Sequence, residues 1–227
     1  MTMNRLMIRA FIQARLSSAR FPGKVLAPLN GAPIIAQVIS RVGQVVERNR
    51  IVVATSDKQS DDPLACYVEQ LGICVYRGSL NDVFRRFQSC LEAYPCDWFF
   101  RVCADSPLLD SGILQRMLDY VEDPAIDLVT NVWPRTYPKG QSAEMIRSSR
   151  FAQIDPELLS AEEREHITKF YYNHGHEFRI LNLESENSAL AHQSFAVDTF
   201  EDLERLERVL RGGNFVYEDR AKYGTTS

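Results

Sequence analysis

Short apolar runs alternate with amphipathic segments along most of the 227-residue chain. Runs such as Ile51-Val-Val-Ala are typical of parallel strands covered on both faces, whereas Phe200–Leu210 has apolar residues at helical spacing. This alternation predicts an α/β fold with a mostly parallel sheet and covering helices. The pattern predicts strands over 6–14, 51–54, 73–76, 98–105, 127–132, 178–183 and 195–197. It predicts helices over 34–42, 62–72, 82–94, 112–121, 161–173 and 200–210.

The regular pattern loosens at about 133–156, where Pro134, Pro138 and Gly140 predict a long excursion. Without a linker, a repeat or a low-complexity tract, we interpret residues 1–227 as a single domain. The 45% apolar content argues against disorder, and the net charge of −4 argues against binding to duplex nucleic acid. No uncharged run is long enough to cross a membrane, and the five cysteines form no Cys-x-x-Cys motif. We therefore expect a cytoplasmic protein.

Polar or charged residues end four of the predicted strands: Arg15, Thr55-Ser-Asp57, Asp105 and Asp198. Ligands of open α/β sheets bind outside the carboxyl ends of the strands, so these side chains are candidates for a site. Asp105 alone fits a turn, and Asp198 alone fits the start of a helix capped by Thr199. Taken together they predict a pair of Mg²⁺ ligands, because Mg²⁺ binds one or two carboxylates plus phosphate oxygens.

The segment Arg15 to Lys24 contains three cations, two serines and a glycine within ten residues. Its position after the first strand suits a loop around a triphosphate, with backbone N–H groups and hydroxyls contacting phosphates that Arg15 and Lys24 neutralise. The Walker A and Rossmann glycine motifs are absent. A solvated polar turn is the alternative interpretation of the segment.

The opening loop, Ile12-Gln-Ala-Arg-Leu-Ser-Ser-Ala-Arg-Phe-Pro-Gly-Lys-Val-Leu26, closely resembles that of SpsF-like proteins, which belong to the acylneuraminate and Kdo cytidylyltransferase superfamily. The resemblance continues in family order through 54–57, 61–63, 77–83, 101–110, 164–168 and 197–203. It implies a nucleotide-diphospho-sugar transferase fold, a Rossmann-like α/β/α sandwich. It also implies Mg²⁺-dependent transfer of CMP from CTP to a sialic-, pseudaminic- or Kdo-like sugar acid in surface polysaccharide or glycan biosynthesis.

The resemblance assigns roles to individual residues. Arg15 and Lys24 are expected to bind the triphosphate and, with Asp105 and Asp198 as metal ligands, to form the catalytic set. The expected nucleotide-binding residues are Ala14, Arg15, Ser17, Ser18, Lys24, Ala54, Thr55, Ser56 and Asp57. Those expected in the sugar pocket are Glu144, Glu165 and His166. Related enzymes form dimers, so we expect a homodimer, with residues 133–156 as a candidate interface.

Two departures from the family pattern concern the loop, where Ser17 and Ala19 replace the usual Gly and Thr. Ser17 would restrict the turn if it needed a positive φ angle. Two other functions remain open at this stage. A glycosyltransferase that uses a nucleotide sugar is one, although Asp105-Ser-Pro107 lacks the second aspartate of an Asp-x-Asp motif. A nucleotide-binding homologue without catalysis is the other.

Overall fold

A computed structural model of the chain describes residues 6–212. Seven strands form one mixed sheet in the order β5-β4-β1-β6-β8-β7-β9, and two very short strands form a separate hairpin. The strands are β1 (Ile8–Gln13), β2 (Pro28–Leu29), β3 (Ala32–Pro33), β4 (Ile51–Ser56), β5 (Cys74–Gly78), β6 (Trp98–Cys103), β7 (Leu128–Thr130), β8 (Ala143–Arg147) and β9 (Ile180–Asn182). Strand β8 is antiparallel to both of its neighbours, while every other pair in the sheet is parallel.

Helices cover both faces of this sheet. They are α1 (Ile34–Val42), α2 (Asp62–Gln70), α3 (Val83–Ala93), α4 (Ser111–Leu118), α5 (Ser148–Ala152), α6 (Ala161–Glu165), α7 (Lys169–Asn173) and α8 (Phe200–Arg211). Helices α1, α2 and α4 pack on one face with Ile12 of β1, and helices α3, α5 and α7 pack on the other with Phe11. Successive strand residues point to opposite faces, so β1 contributes to both apolar clusters. The predicted α/β/α sandwich is confirmed.

The segment 133–156 contains a strand that the sequence pattern did not predict. Strand β8 lies inside the sheet between β6 and β7, with Arg101 opposite Glu144 and Val129 opposite Met145. Buried Glu144 disguises it, because a charge in an inner strand breaks the expected apolar pattern. The excursion therefore supplies part of the sheet, and its role as a dimer interface stays a prediction.

Two other predicted elements differ from the structure. The predicted strand over 195–197 is wrong, because these residues form no strand of either sheet. They make isolated backbone hydrogen bonds instead, such as that from Val197 N–H to the Asp105 carbonyl at 2.9 Å. The predicted helix over 161–173 is interrupted between α6 and α7, where His166 leaves helical geometry. Thr168, in the interruption, donates its hydroxyl to Glu144 at 2.6 Å.

In residues 6–212, no helix combines the length and the apolar character that a membrane crossing requires.

Candidate active site

The loop that follows β1 closes on itself through its own backbone. The Leu16 carbonyl accepts hydrogen bonds from Ser18 N–H at 2.9 Å and Gly23 N–H at 2.8 Å. Gly23 has a φ of 76°, a left-handed conformation that side chains disfavour, and it directs the chain into a single helical turn over 24–26. Lys24 thereby points back to the carboxyl ends of the strands.

Lys24 forms the centre of the charged cluster at this edge of the sheet. Its Nζ lies 2.9 Å from Oδ2 of Asp105 and 3.0 Å from Oδ1 of Asp198. Burial lowers the pKa of Lys24, but the charges of the two carboxylates and their hydrogen bonds outweigh burial and raise this pKa above its ordinary value. Arg20 contacts the same Asp198 oxygen at 3.1 Å from a mostly exposed position. Two carboxylates from segments distant in sequence therefore converge on the ammonium group of Lys24.

Backbone hydrogen bonds hold Asp198 between Asp105 and the start of α8. The Val197 N–H donates to the Asp105 carbonyl, which joins the two segments just before Asp198. Asp202, in the first turn of α8, accepts hydrogen bonds from the N–H groups of Asp198 at 3.0 Å and Thr199 at 3.1 Å. The helix cap thus fixes the position of Asp198, and the role of Asp198 as a metal ligand stays a prediction.

A cavity of about 370 Å³ opens beside this cluster. Its lining contains seven of the predicted site residues: Ala14, Arg15, Ser18, Lys24, Asp105, His166 and Asp198. Arg20, Gln13 and Cys103 also line it. Ser17, by contrast, is exposed and lies outside this lining. Its φ is not positive, since Asn30 is the residue other than glycine with a positive φ among residues 6–212, so serine fits the turn without strain.

A larger cavity, of about 750 Å³, lies at the opposite end of the strands near Trp98 and Arg147. The Arg147 guanidinium there donates to the carbonyls of Ile126 and Asp123, so its donors are engaged by the backbone. The charged cluster and the position at the carboxyl ends of the strands both favour the smaller cavity as the functional site.

The predicted base-binding segment lies next to the loop but outside the cavity lining. The Ala54 carbonyl accepts from Ala14 N–H at 3.2 Å, which places the ends of β1 and β4 side by side. Thr55 and Ser56 are fully buried, and Asp57 is exposed. The role of this segment in binding cytosine stays a prediction.

Asp61 links that segment to the loop, a role that the sequence did not reveal. This carboxylate is fully buried and accepts hydrogen bonds from Leu16 N–H at 2.7 Å and Ser56 N–H at 3.2 Å. It also accepts from the Ser56 hydroxyl. Its position before α2 resembles an ordinary helix start, yet its side chain makes no cap there. Asp61 therefore holds Leu16, the neighbour of Arg15, against the end of β4.

Glu144 lies behind the cavity wall rather than in it. Its Oε1 accepts from Thr168 at 2.6 Å and Tyr172 at 2.8 Å, and its Oε2 accepts from Arg101 at 3.1 Å. Arg101 also donates to Oε1 of Gln13 at 2.9 Å. Because a guanidinium only donates, Gln13 must present its oxygen to Arg101 and keep its amide N–H groups for other partners. Glu144 thus orients Gln13, a cavity residue that sequence reasoning missed.

Glu165, the third predicted sugar-pocket residue, lies outside the lining and 3.8 Å from Arg15 in a half-exposed ion pair. His166, directly after it, does line the cavity because the chain leaves the helix there. Of the three residues expected in the sugar pocket, the structure brings His166 into the cavity. Glu165 contacts the lining residue Arg15, and Glu144 is linked to the lining residue Gln13 through Arg101.

The donor set of the cluster fits a divalent cation that a phosphate ligand completes. Residues 6–212 contain no group of three or more His, Cys, Asp or Glu side chains that could hold a metal by themselves. Asp105 and Asp198 nevertheless direct oxygens to one shared cationic atom, the Lys24 nitrogen. Mg²⁺ is commonly held by one or two carboxylates plus substrate phosphates, so two carboxylates suffice for it.

Comparisons with known proteins identify the family of the chain. A family model described as "Cytidylyltransferase" matches residues 9–219. The chain belongs to the cytidylyltransferase family. It is 32% identical over 202 residues to the spore coat polysaccharide biosynthesis protein SpsF of Bacillus subtilis. The aligned residues cover 86% of this chain and 83% of SpsF. A 3-deoxy-manno-octulosonate cytidylyltransferase of Bdellovibrio bacteriovorus is 26% identical over 139 residues, covering 60% and 55% of the two chains.

Solved structures show the same cytidylyltransferase fold. A cytidylyltransferase from Leptospira borgpetersenii superposes with a TM-score of 0.86 at 28% identity, covering 92% of this chain and 88% of that one. A CMP:2-keto-3-deoxy-manno-octonic acid synthetase solved with CTP superposes with a TM-score of 0.71 at 18% identity, covering 91% and 99%. The second similarity is one of fold. The family assignment confirms the resemblance inferred from the loop and the strand ends.

Proposed function

We propose that this cytidylyltransferase moves CMP from CTP to a sugar acid and releases pyrophosphate. The observation that supports the proposal most is the convergence of Lys24, Asp105 and Asp198 beside Arg15 in one cavity. Cations for a triphosphate and carboxylates for a metal meet there at the carboxyl ends of the strands. The names of the relatives, SpsF and Kdo cytidylyltransferase, support a role in polysaccharide or glycan biosynthesis.

In the proposed reaction, a hydroxyl oxygen of the acceptor bonds to the α-phosphorus of CTP. The bond from that phosphorus to the bridging oxygen of the β-phosphate breaks, its electrons leave with pyrophosphate, and the hydroxyl proton passes to solvent. Arg15 and Lys24 bind the phosphates and stabilise the charge of the leaving group. Asp105 and Asp198 would hold Mg²⁺, which supplies neutralisation of phosphate charge when bound.

The acceptor side of the cavity carries groups suited to an oxygen-rich molecule. Gln13 keeps amide N–H donors for a ligand because Arg101 fixes its oxygen. His166 also lines the cavity and brings an imidazole to it. These donors match the carboxylate and hydroxyl groups of a sugar acid.

A pyrophosphate-release screen tests the proposal. CTP, UTP, ATP and GTP are each mixed with Mg²⁺ and a panel of sugar acids, including 3-deoxy-manno-octulosonate, and we expect release with CTP. Asp105→Ala should abolish that release, while Asp119→Ala, an exposed carboxylate outside the cavity, should retain it. Release with UTP instead of CTP would contradict the base assignment. Transfer of a sugar from a nucleotide sugar, without pyrophosphate, would favour a glycosyltransferase, and CTP binding without any product would favour a non-catalytic homologue.

The predicted homodimer is tested separately by sedimentation equilibrium, with a mass of twice 26.0 kDa as the expected result.

A further inference from the structure

The position of Lys24 raises a question that its role as a phosphate ligand does not answer. Its ammonium group contacts the two carboxylates that would bind Mg²⁺, and it uses one oxygen of each, at 2.9 and 3.0 Å. A side chain that only awaited a phosphate would have no need to bridge both. In the structure, the positive charge between the two carboxylates is therefore the Lys24 ammonium group.

We propose that Lys24 competes with divalent cations for Asp105 and Asp198, so that the metal binds tightly only when an anion draws Lys24 away. That this anion is CTP rests on the proposed function, whereas the competition itself does not. Metal and nucleotide would then bind with positive coupling. The nucleotide would draw Lys24 away from the carboxylates that the metal needs, and the metal would replace Lys24 as their cation. After pyrophosphate leaves, Lys24 would return to the carboxylates and favour release of the metal.

Distance and charge both support this competition. A Mg²⁺ ion bound about 2.1 Å from the Asp105 oxygen would lie at most about 5 Å from Lys24 Nζ if the lysine stayed in place, given the 2.9 Å contact. Two cations this close repel each other strongly in a partly buried site, and a metal on either oxygen that Lys24 contacts would compete with it directly. Lys24 must therefore leave these oxygens before the metal can bind tightly.

Lys24 also has the means to move. Its relative exposure is 9%, so its amine is already shielded from water, but its unbranched stem can rotate without moving the backbone. Arg15, Ser18 and Lys24 line the same cavity, so a phosphate bound there would offer Lys24 an alternative partner to the two carboxylates. Arg20 also contacts Asp198, but at 66% side-chain exposure its interaction is weakened by solvent.

Binding of Mn²⁺ alone tests the proposal without any turnover. Free Mn²⁺ is measured by electron paramagnetic resonance in titrations of the nucleotide-free protein and its variants. We expect weak binding by the unmodified protein and at least about tenfold tighter binding by Lys24→Met, since one positive charge leaves two adjacent carboxylates. Lys24→Gln should behave in the same way, and it serves as the second neutral variant if Lys24→Met does not fold. Lys24→Arg, which keeps the charge, should bind as weakly as the unmodified protein.

Two further variants separate a local effect from a general one. Lys58→Met removes an exposed lysine outside the cavity lining and should leave Mn²⁺ affinity within about twofold. Adding Asp105→Asn to Lys24→Met should abolish the gain. Equal Mn²⁺ affinity in Lys24→Met, Lys24→Gln and the unmodified protein would overturn the proposal, as would a similar gain in Lys58→Met. Because the readout is metal binding, failure of CMP transfer would leave this result interpretable.

Discussion

Asp61→Asn is the substitution that most directly tests how the loop is positioned. The Asp61 carboxylate accepts from two backbone N–H groups, those of Leu16 and Ser56, while fully buried. Asparagine keeps a single acceptor oxygen, so at least one of those N–H groups would face an amide NH₂ instead. A buried donor without a partner costs about 1–3 kcal/mol. We expect the free energy of unfolding to fall by about 2 kcal/mol, roughly 4–8 °C in Tm for a chain of this size.

The same substitution should weaken CTP binding because Leu16 is bonded to Arg15 in the chain. A shift of about 1 Å in a positioning element can change rates by as much as ~100-fold, so an increase of several-fold in KM for CTP is the expected result. Urea denaturation measures the first effect and the pyrophosphate assay measures the second. Asp62→Asn is the matched control: its exposed ion pair with Arg77, at 2.7 Å, contributes at most about 1 kcal/mol. Unfolding of Asp61→Asn within about 0.5 kcal/mol of the unmodified protein, with unchanged KM, would refute the reasoning.

Three further predictions follow from other contacts of the structure. Glu144→Gln and Gln13→Leu should both lower kcat/KM for the acceptor while leaving KM for CTP unchanged, and an equal loss on the CTP side would contradict the orienting role. Burial raises the pKa of the Cys103 thiol to about 11, so iodoacetamide should modify it appreciably only as the pH nears that value. Exposed Cys66 should react first at pH 8, as measured by mass spectrometry of peptides, and equal rates would contradict this order. Burial raises the pKa of Asp202, but hydrogen bonds from a neighbouring arginine and two backbone N–H groups outweigh burial and lower it overall. Its contribution to stability is therefore complete above the unfolded pKa of about 3.9 and is lost as the pH falls through the lower folded pKa. The difference in Tm between Asp202→Asn and the unmodified protein should shrink below about pH 4, and a constant difference would contradict the assignment.

The elements that the sequence predicted well are those whose pattern arises from local burial. All six residues of β4, Ile51–Ser56, are buried, and the apolar run there is visible without any partner. Strand β8 could not be found in this way, because Glu144 is stabilised by Arg101 on the neighbouring strand, 43 positions earlier. The strand predicted over 195–197 was wrong because an apolar pattern was present without any pairing in a sheet. Val197 is fully buried and packs with α8, yet apolar character alone does not decide whether a segment pairs in a sheet.

The residues of the candidate site also differ in whether a local sequence pattern could predict them. Asp105 and Arg15 were predictable because each lies two residues after a strand, and parallel strands place their carboxyl ends at one edge. Asp61 and Gln13 were not, because their roles depend on which backbone groups and side chains the fold brings to them. Their importance comes from hydrogen bonds that cross 45 and 88 positions of sequence.

The arrangement around Asp198 shows why a capping role and a site role need not compete. Thr199 and Asp202 form a capping box at the start of α8, and Asp202 also accepts the N–H of Asp198. The hydrogen bond from Val197 to the Asp105 carbonyl then fixes the spacing between the two carboxylate-bearing segments. Two aspartates with like charges would repel each other at this spacing, and Lys24 relieves that repulsion. The helix cap and the lysine both stabilise the pair of carboxylates, and we therefore expect removal of Lys24 to give a less stable fold and a stronger site for a divalent cation.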